Sequence, residues 1–507
     1  MGNSPHTAST SVHILDDYSL LNIFYLYRLF LLSQDDLFLP EGDCGWVGER
    51  WWHKLAHVCR RWRNLILGSA SYLRLCLYCS KGTPIADMLA HSPPLPLVIE
   101  YDYYEDSDIA AEDEECLILA LEQRNRILGI RLRIMMDTSN LQKFIMAIDE
   151  EFPILEYLSI VSPNQRTALM LPETLHAPRL HQLSLIGFIP PIRSRLLTTA
   201  VGLVTLFLSM THPSTCFHPD DLLHCLSLTP QLEVLVIGLL FPFPHREVER
   251  QLTRTPIMTP MTFPNLRRLL FDGVSAYLEA LVHRITTPGL EELVIRFINQ
   301  LMFSIPHVLQ FIGRTENLSF GSVSFSFSTE GVHVMGYPRE GSGKYDLLIS
   351  VHCSALDWQV SSIAQISNAL SQAFYMVEHL TLLHDAHGQS SEEHGEVDHT
   401  DWQKLLGSFS NVKTIRIDDG LVKGFCRCLQ LDDGELPLDF LPELQELRYI
   451  GRSDTDDSFT PFINARQIAG RPVTLVRLSP SPSPSESPSE GPTITLARSD
   501  VENDSNT

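Results

Sequence analysis

The chain has 507 residues, of which 44% are hydrophobic and 20% are charged, and its formal net charge is −23. This length exceeds what one hydrophobic core supports, so we expect either several domains or a repeat array that grows along one axis. The acidic balance excludes a general binder of phosphate backbones, which relies on clustered Lys and Arg, and we expect no nucleic-acid partner.

The N-terminal residues predict an intracellular protein, cytoplasmic and/or nuclear. The opening MGNSPHTAST lacks the basic and apolar regions of a signal peptide, and ten cysteines are scattered along the chain, so we expect free thiols. The apolar stretch from Leu20 to Leu32 is too short to span a bilayer and carries Arg28. Gly2 is not followed by the Ser or Thr of a myristoylation motif, since His6 stands there. We therefore expect no membrane partner.

Two helices are predicted near the start of the chain. Residues 1–11 are small and polar, and we expect them to be disordered. Apolar residues at helical spacing predict a first helix from Leu15 to Leu32, followed by a loop from Ser33 to Gly48. Large apolar residues recur every three or four positions from Trp51 to Leu67, which predicts a second helix with one apolar face. Together these elements predict a helical module over residues 12–80.

Two further segments have a composition typical of solvated chain. Nine of the sixteen residues from Glu100 to Glu115 are Asp or Glu, so we predict a linker with an acidic loop over residues 81–122. Residues 479–507 contain the run SPSPSPSESPSEGP and lack the apolar spacing of a core. We expect them to form a disordered tail rich in Ser and Pro.

A unit of the form L-x-x-L-x-L recurs between these segments. Its clearest copies are Leu155, Leu158, Ile160; Leu180, Leu183, Leu185; Leu203, Leu206, Leu208; Leu232, Leu235, Ile237; Leu266, Leu269, Phe271; and Leu290, Leu293, Ile295. Weaker copies are Ile127, Ile130, Leu132; Val377, Leu380, Leu382; Val412, Ile415, Ile417; and Leu444, Leu447, Tyr449. The clearest copies begin 23 to 34 residues apart, a spacing that indicates irregular leucine-rich repeats.

The x-L-x-L part of each unit predicts one short strand of a parallel sheet, because it alternates inward apolar and outward variable residues. Helical candidates between the strands are Asp220 to Leu228, Tyr277 to Ile285 and Ile363 to Met376, which we expect to cover one side of the sheet. Phe320 to Val360 breaks the period and is interpreted as an inserted hairpin or a distorted pair of repeats. The predicted fold class is α/β, with the helical module followed by an irregular leucine-rich-repeat solenoid over residues 123–478.

No constellation of catalytic, cofactor-binding or metal-binding residues is complete. Gly341 to Lys344 matches only the end of a phosphate-binding loop, and Cys76 to Cys79 and Cys426 to Cys428 have no second pair at zinc-site spacing. The histidines from His384 to His399 lie in a run rich in Gly, Ser and acids, typical of a solvated loop. We expect no catalysis, cofactor or metal. A hydrolase or nucleotide-binding enzyme with an unrecognised motif is the alternative.

Two segments of the helical module resemble the F-box, a helical motif by which substrate receptors bind the Skp adaptor of cullin-based ubiquitin ligases. Leu15-Asp-Asp-Tyr-Ser-Leu-Leu-Asn-Ile23-Phe24 is similar to the family's opening L-P-x-E-L-L-x-x-I-F, with Asp16 in place of Pro. The segment from Trp52 to Arg63 is similar to its V-C-R-x-W-R core. The resemblance covers about 60 of 507 residues. Large fungal families carry such F-boxes before irregular leucine-rich repeats, and this chain resembles them.

The resemblance implies a function and a set of partner-binding residues. In the family, apolar positions close a small helical core and dock on the adaptor. The matching positions here are Leu15, Leu20, Ile23, Phe24, Val58, Cys59 and Trp62. The resemblance implies that the chain is a non-catalytic substrate-recognition subunit of an SCF-type cullin ubiquitin ligase. Its partners would be a Skp-type adaptor and the cullin complex, and its solenoid would bind an unknown target protein. Two alternatives stay open: an interaction scaffold with a degenerate F-box and no ubiquitin role, and a second helix that only caps the repeat array.

Overall fold

The computed structural model describes residues 15–35, 51–103, 111–134, 138–162, 169–192, 194–212, 217–239, 260–298, 300, 302–315, 317–339, 344–385, 399–429, 441–450 and 456–478. The helices in these ranges are α1 (Asp17–Asp35), α2 (Trp51–Ala56), α3 (Arg60–Gly68), α4 (Ile85–His91), α5 (Ala111–Leu121), α6 (Thr138–Ala147), α7 (Arg195–Thr199), α8 (Pro219–Leu226), α9 (Ser275–Val282), α10 (Pro306–Arg314), α11 (Leu356–Ala369), α12 (Ser371–Phe374), α13 (His399–Gly407), α14 (Asp419–Cys428) and α15 (Asp456–Ile468). The strands are β1 (Leu77–Ser80), β2 (Leu97–Tyr103), β3 (Ile127–Ile134), β4 (Tyr157–Val161), β5 (Leu169–Met170), β6 (Gln182–Ile186), β7 (Phe188–Ile189), β8 (Thr205–Met210), β9 (Val234–Leu239), β10 (Met261–Thr262), β11 (Arg268–Gly273), β12 (Ile285–Thr286), β13 (Glu292–Phe297), β14 (Ser322–Ser328), β15 (Gly331–Tyr337), β16 (Leu347–His352), β17 (His379–Asp385), β18 (Thr414–Ile417), β19 (Glu446–Ile450) and β20 (Thr474–Leu478).

One sheet of sixteen strands runs through the molecule. Its order is β1-β2-β3-β4-β6-β8-β9-β11-β13-β16-β15-β14-β17-β18-β19-β20. The described pairings in this sheet are parallel except for β14 with β15 and β15 with β16. The fold is therefore mixed α/β with a large, mostly parallel sheet, and this part of the predicted fold class is confirmed.

The middle positions of the L-x-x-L-x-L units pair with one another across the sheet. This register joins Leu158, Leu183, Leu206, Leu235, Leu269 and Leu293, and it continues to Leu347 of β16, which lies outside the predicted units. All seven side chains are buried, and we call them the leucine ladder. Each repeat thus buries its apolar residues against its neighbours, as a solenoid requires.

The predicted covering helices are present on the leucine-ladder side of the sheet. α8, α9 and α11 overlap the three predicted segments, and Leu222, Leu278 and Ile363 on them belong to the same apolar core as the ladder. The break in the period is a hairpin: β14 and β15 pair antiparallel, and β14 then pairs parallel with β17. The hairpin inserts two strands without interrupting the sheet.

The sheet begins earlier in the chain than residue 123, the predicted start of the solenoid. β1 pairs in parallel with β2, and β2 pairs in parallel with β3, so the segment 81–122, predicted as a linker, contributes a strand and parts of the covering layer. Several of the acidic residues that suggested a loop lie in a helix or form an ion pair. Glu112, Asp113 and Glu114 occupy the first turn of α5, where the helix dipole favours negative charge, and Glu100 pairs with Arg131 at 3.0 Å.

The second predicted helix is two helices. α2 ends at Ala56 and α3 begins at Arg60, with Cys59 between them in an extended conformation. The Cys59 sulfur accepts a hydrogen bond from the backbone N–H of Trp62 at 3.4 Å and so caps α3. The apolar periodicity continues across the break, which is why one helix was predicted.

Candidate protein-docking surface

Asp16 starts the first helix of the module. Its carboxylate accepts hydrogen bonds from the backbone N–H of Ser19 at 2.7 Å and from the Ser19 hydroxyl at 3.1 Å. These bonds, the backbone one first, hold the pKa of Asp16 below its usual value. Asp16, which replaces the family's Pro, is thus an N-cap of the kind that Asp provides well.

The inner face of α1 forms the core of the module. Leu20 and Phe24 are each 1% exposed, and the Phe24 ring meets the Trp62 ring edge-on with 4.9 Å between centroids. Trp62 is partly buried and packs against the same core. Such an aromatic pair adds to the stabilisation from apolar burial alone. These three predicted residues therefore hold α1 and α3 together.

Arg61 joins α3 to the start of α1. Its guanidinium donates to the Asp17 carboxylate at 2.7 Å and to the Leu15 carbonyl at 2.6 Å. Val58 lies two residues before α3 and Leu15 lies two residues before α1, so each precedes the N-terminus of one of the two helices that Arg61 joins. Neutralising Asp17 in this way leaves the neighbouring surface with less negative charge.

The outward side of α1 is apolar as well. Its exposed large side chains are Tyr18, Ile23, Leu26, Tyr27 and Leu29. Together with Leu15 and Val58 we call them the outer face. A soluble helix usually places charged or polar residues opposite its buried stripe, and a helix that is apolar all round is usually covered on all sides. The outer face is therefore the strongest candidate for a protein-docking surface in the described part of the module.

The seven predicted partner-binding residues divide into an exposed group, a packed group and one helix cap. Leu15, Ile23 and Val58 lie on the outer face, with Val58 59% exposed. Leu20, Phe24 and Trp62 pack inside the module, and Cys59, which is partly exposed, caps α3. Resemblance missed Tyr18, Leu26, Tyr27 and Leu29, although helical spacing from Leu15 would have placed Tyr18, Leu26 and Leu29 beside it. That these side chains bind a partner stays a prediction.

The sheet presents a second candidate surface on the side opposite the leucine ladder. Strand register joins Phe207, Val236, Leu270, Val294, Leu348 and Met335, which we call the apolar row. Successive side chains of a strand point to opposite faces, so this row lies away from the helices that pack on the ladder. Val236, Leu270, Val294 and Leu348 form a buried cluster separate from the main core.

Polar side chains flank the apolar row on both sides. On one side Glu292 accepts from Arg268 at 2.8 Å and from Lys344 at 2.7 Å. On the other, Arg296 donates to Asp272 at 3.4 Å, and His333 shares a 2.8 Å hydrogen bond with Ser350. Burial, followed by the nearby His352 and Arg296, lowers the pKa of His333. The neutral form of the His333 imidazole is thereby favoured.

Four of the described thiols, those of the two predicted cysteine pairs, lie in surroundings that disfavour the thiolate. Burial raises the pKa of Cys79 and of Cys426 to about 12, and it also raises the pKa values of Cys76 and Cys428. A raised pKa disfavours the thiolate, the form that binds metals and attacks electrophiles. Within the described ranges, no group of three or more His, Cys, Asp or Glu side chains has a metal-binding arrangement.

Some sequence predictions fall on residues outside the described ranges. These are the N-terminal residues 1–11, residues 36–48 of the predicted loop, residues 104–110 of the predicted acidic loop, the run 341–343, residues 386–398 of the histidine-rich run and the tail 479–507. Among the helices that are described, none has the length and apolar character needed to cross a membrane.

Comparisons with known proteins identify no family for this chain. No family model matches it, and no curated protein does. Among solved structures, the chain is similar to the leucine-rich repeat-containing protein LegL7 from Legionella pneumophila, at 12% identity and a TM-score of 0.25, over 78% of this chain and 98% of that one. The assignment of repeats here therefore depends on the register of the leucine ladder.

Proposed function

We propose that the chain is a non-catalytic substrate-recognition subunit of an SCF-type cullin ubiquitin ligase. In this proposal the outer face docks on a Skp-type adaptor, and the solenoid holds a target protein within reach of the ubiquitin-transferring subunits. The observation that carries the proposal is the outer face itself, because α1 is apolar on its solvent side while its inner side is already filled. An exposed apolar patch on a soluble protein marks an interaction site.

The contacts within the module favour docking over further burial in this chain. Phe24 packs against Trp62 on the inner side of α1, and Arg61 bonds to the first residues of α1, so two separate contacts orient the outer face relative to α3. Preorganisation of this kind lowers the entropic cost of association. The aromatic side chain of Tyr18, 75% exposed, supplies the type of anchor that interfaces favour.

The target-binding part of the proposal concerns the face of the sheet that carries the apolar row. Its flanking ion pairs and hydrogen bonds form a patterned polar surface that offers specificity, since charge complementarity selects between partners. No side chain on this face is assigned a catalytic role. Proximity of bound target and transferring subunits would supply the rate enhancement.

The test is co-purification of the full chain with a Skp adaptor. The Ile23→Asp, Val58→Asp double variant places charges on the outer face without removing any buried side chain. The matched control is Ile468→Asp, Val201→Asp, since Val201 is 59% exposed like Val58 and Ile468 is 88% exposed. We expect wild type and control to recover the adaptor and the outer-face variant to lose it. Equal recovery by all three proteins, or recovery by none, contradicts the proposal.

A second function is favoured by one contact. The Trp52 indole donates to the Cys76 carbonyl at 3.3 Å, directly before β1, and Trp52 is buried. The module thus closes the first repeat, and terminal repeats of solenoids need such caps. An interaction scaffold without a ubiquitin role would keep this contact and recover no adaptor in the same experiment.

A further inference from the structure

A small basic cavity lies between two successive repeats, on the side of the sheet that carries the helices. It has a volume of about 180 Å³ and is formed by the residues that follow α9 and by one face of α10. His307, Gln310 and Arg314 line it from α10 at helical spacing, and His283 and Thr287 line it from the preceding repeat. Ligand pockets for drug-sized molecules exceed about 300 Å³, so this cavity suits a single small group.

Two imidazoles meet at this cavity. The Nδ1 atoms of His283 and His307 are 3.1 Å apart, and the ring centroids are 4.0 Å apart. At most one proton can lie between these two nitrogens, so the pair shares a single hydrogen bond. The guanidinium of Arg314 adds a permanent positive charge and a planar pair of donors suited to oxyanions.

The described residues that line the cavity include no Asp or Glu. The nearby Glu279 carboxylate is engaged elsewhere, accepting from the backbone N–H groups of His307 at 2.9 Å and of Val308 at 2.8 Å. The chain carries 61 acidic residues against 38 Lys and Arg and 20 His, so a lining with one Arg, two His and no acid differs from the average composition of the chain.

A buried donor without a partner supplies an independent observation. Thr287 lines the cavity and is 3% exposed, and its hydroxyl has no hydrogen-bond partner among the described residues. A buried polar group left unpaired is costly, and such groups are uncommon in folded proteins. A bound oxyanion would accept the hydrogen bond that this hydroxyl has available.

We propose that this cavity binds a phosphate group through His283, His307, Arg314 and Thr287. A phosphate offers three or four acceptor oxygens and up to two negative charges, which match donors that arrive from two repeats. A wider groove adjoins the cavity and shares His307, Gln310 and Arg314 with it. The groove continues past Leu309 to Met376, so the phosphate can belong to a larger monoester whose organic part lies along the groove.

The test is calorimetric titration of the full chain at constant ionic strength, with inorganic phosphate in one arm and phenyl phosphate in the other. Chloride at equal ionic strength is the reference. We expect both phosphates to bind, phenyl phosphate more tightly because its ring reaches the groove. Loss of a charge-assisted hydrogen bond corresponds to about a tenfold weaker affinity, so His307→Asn and Arg314→Gln should each weaken phosphate binding about tenfold or more.

His224→Asn is the matched control, because His224 is an exposed histidine on α8, a helix of another repeat. The affinity of the His224→Asn variant for phosphate should equal that of wild type. Thermal unfolding of each variant without phosphate checks that the fold is kept. Absence of phosphate binding to wild type, equal binding by all variants, or binding of Zn²⁺ in place of phosphate at this histidine pair would overturn the proposal.

Discussion

Adjacent residues of α1 point to opposite sides of the helix, one into the core and one towards solvent. Phe24 is buried against Trp62, whereas its neighbour Ile23 is 47% exposed on the outer face. Family resemblance grouped the two because a motif records residue types and not their direction. A substitution at Phe24 or Trp62 would therefore remove core packing. Any loss of partner binding in such a variant would follow from unfolding of the module and not from a lost contact with the partner. Ile23 and Val58 are the positions where binding and folding can be separated.

At Asp16 we predict a pH-dependent cap. The pKa of Asp16 is lower in the folded chain, so its contribution is fully present above the unfolded value of about 3.9 and is lost as pH falls through the lower folded pKa. The difference in Tm between wild type and Asp16→Ala should shrink between pH 6 and pH 3. Asn also caps helices but does not titrate, so the difference between Asp16→Asn and Asp16→Ala should stay constant. If the difference in Tm between wild type and Asp16→Ala does not change with pH, the prediction of a titrating cap is contradicted.

At the scale of elements, a side chain of one repeat caps a helix of the next repeat, and this contact cannot be predicted from the local sequence pattern. α10 begins with Pro306, which has no N–H, and Glu279 of α9 accepts from the next two backbone N–H groups. A carboxylate near a helix N-terminus also interacts favourably with the helix dipole. The sequence predicted α9 from its own apolar spacing. The capping partner is 28 residues away in the chain, so a scan for local helix caps could not find it.

We predict that Glu279→Ala lowers the free energy of unfolding by about 2 kcal/mol, because it leaves the N–H groups of His307 and Val308 without their acceptor. Hydrogen exchange at residues 307–310 should accelerate at the same time. Glu291→Ala is the control, since Glu291 is exposed and its pair with Arg267 at 3.6 Å is of the surface kind that contributes little. Equal loss of stability in the two variants would argue against the inter-repeat cap.

At the scale of the whole molecule, the repeat period predicted the parallel sheet and the ladder correctly. Leucines that occupy the same positions in each unit allow only one strand register in which all of them are buried. The predicted start of the sheet at residue 123 was too late, because β2 contains Glu100 and runs into an acidic segment that has the composition of a loop. The break at Cys59 was missed for a related reason: one apolar stripe serves two helices. Composition and period identify repeats, whereas ends and breaks depend on individual caps and ion pairs.

Because each repeat contacts mainly its neighbours, we predict that loss of one buried strand leucine has a local effect. Leu447→Ala in β19 should cost about 2–5 kcal/mol and raise hydrogen exchange in β18 to β20, with β3 and β4 unchanged. Leu158→Ala in β4 is the reciprocal variant, expected to affect β3, β4 and β6 and to leave β19 protected. Both leucines are fully buried, so their packing losses are comparable. Exchange that rises along the whole sheet in either variant would contradict a solenoid with neighbour-limited contacts.

The central claim, that the outer face binds a Skp-type adaptor, is tested most directly by photo-crosslinking from that face in cells. A photoreactive amino acid replaces Leu26 in one protein and Val201 in another, both exposed positions on the same chain. Mass spectrometry should identify the adaptor in the adduct from position 26 and not from position 201. Adducts at position 26 that contain no adaptor, or only peptides of this chain itself, would contradict the account.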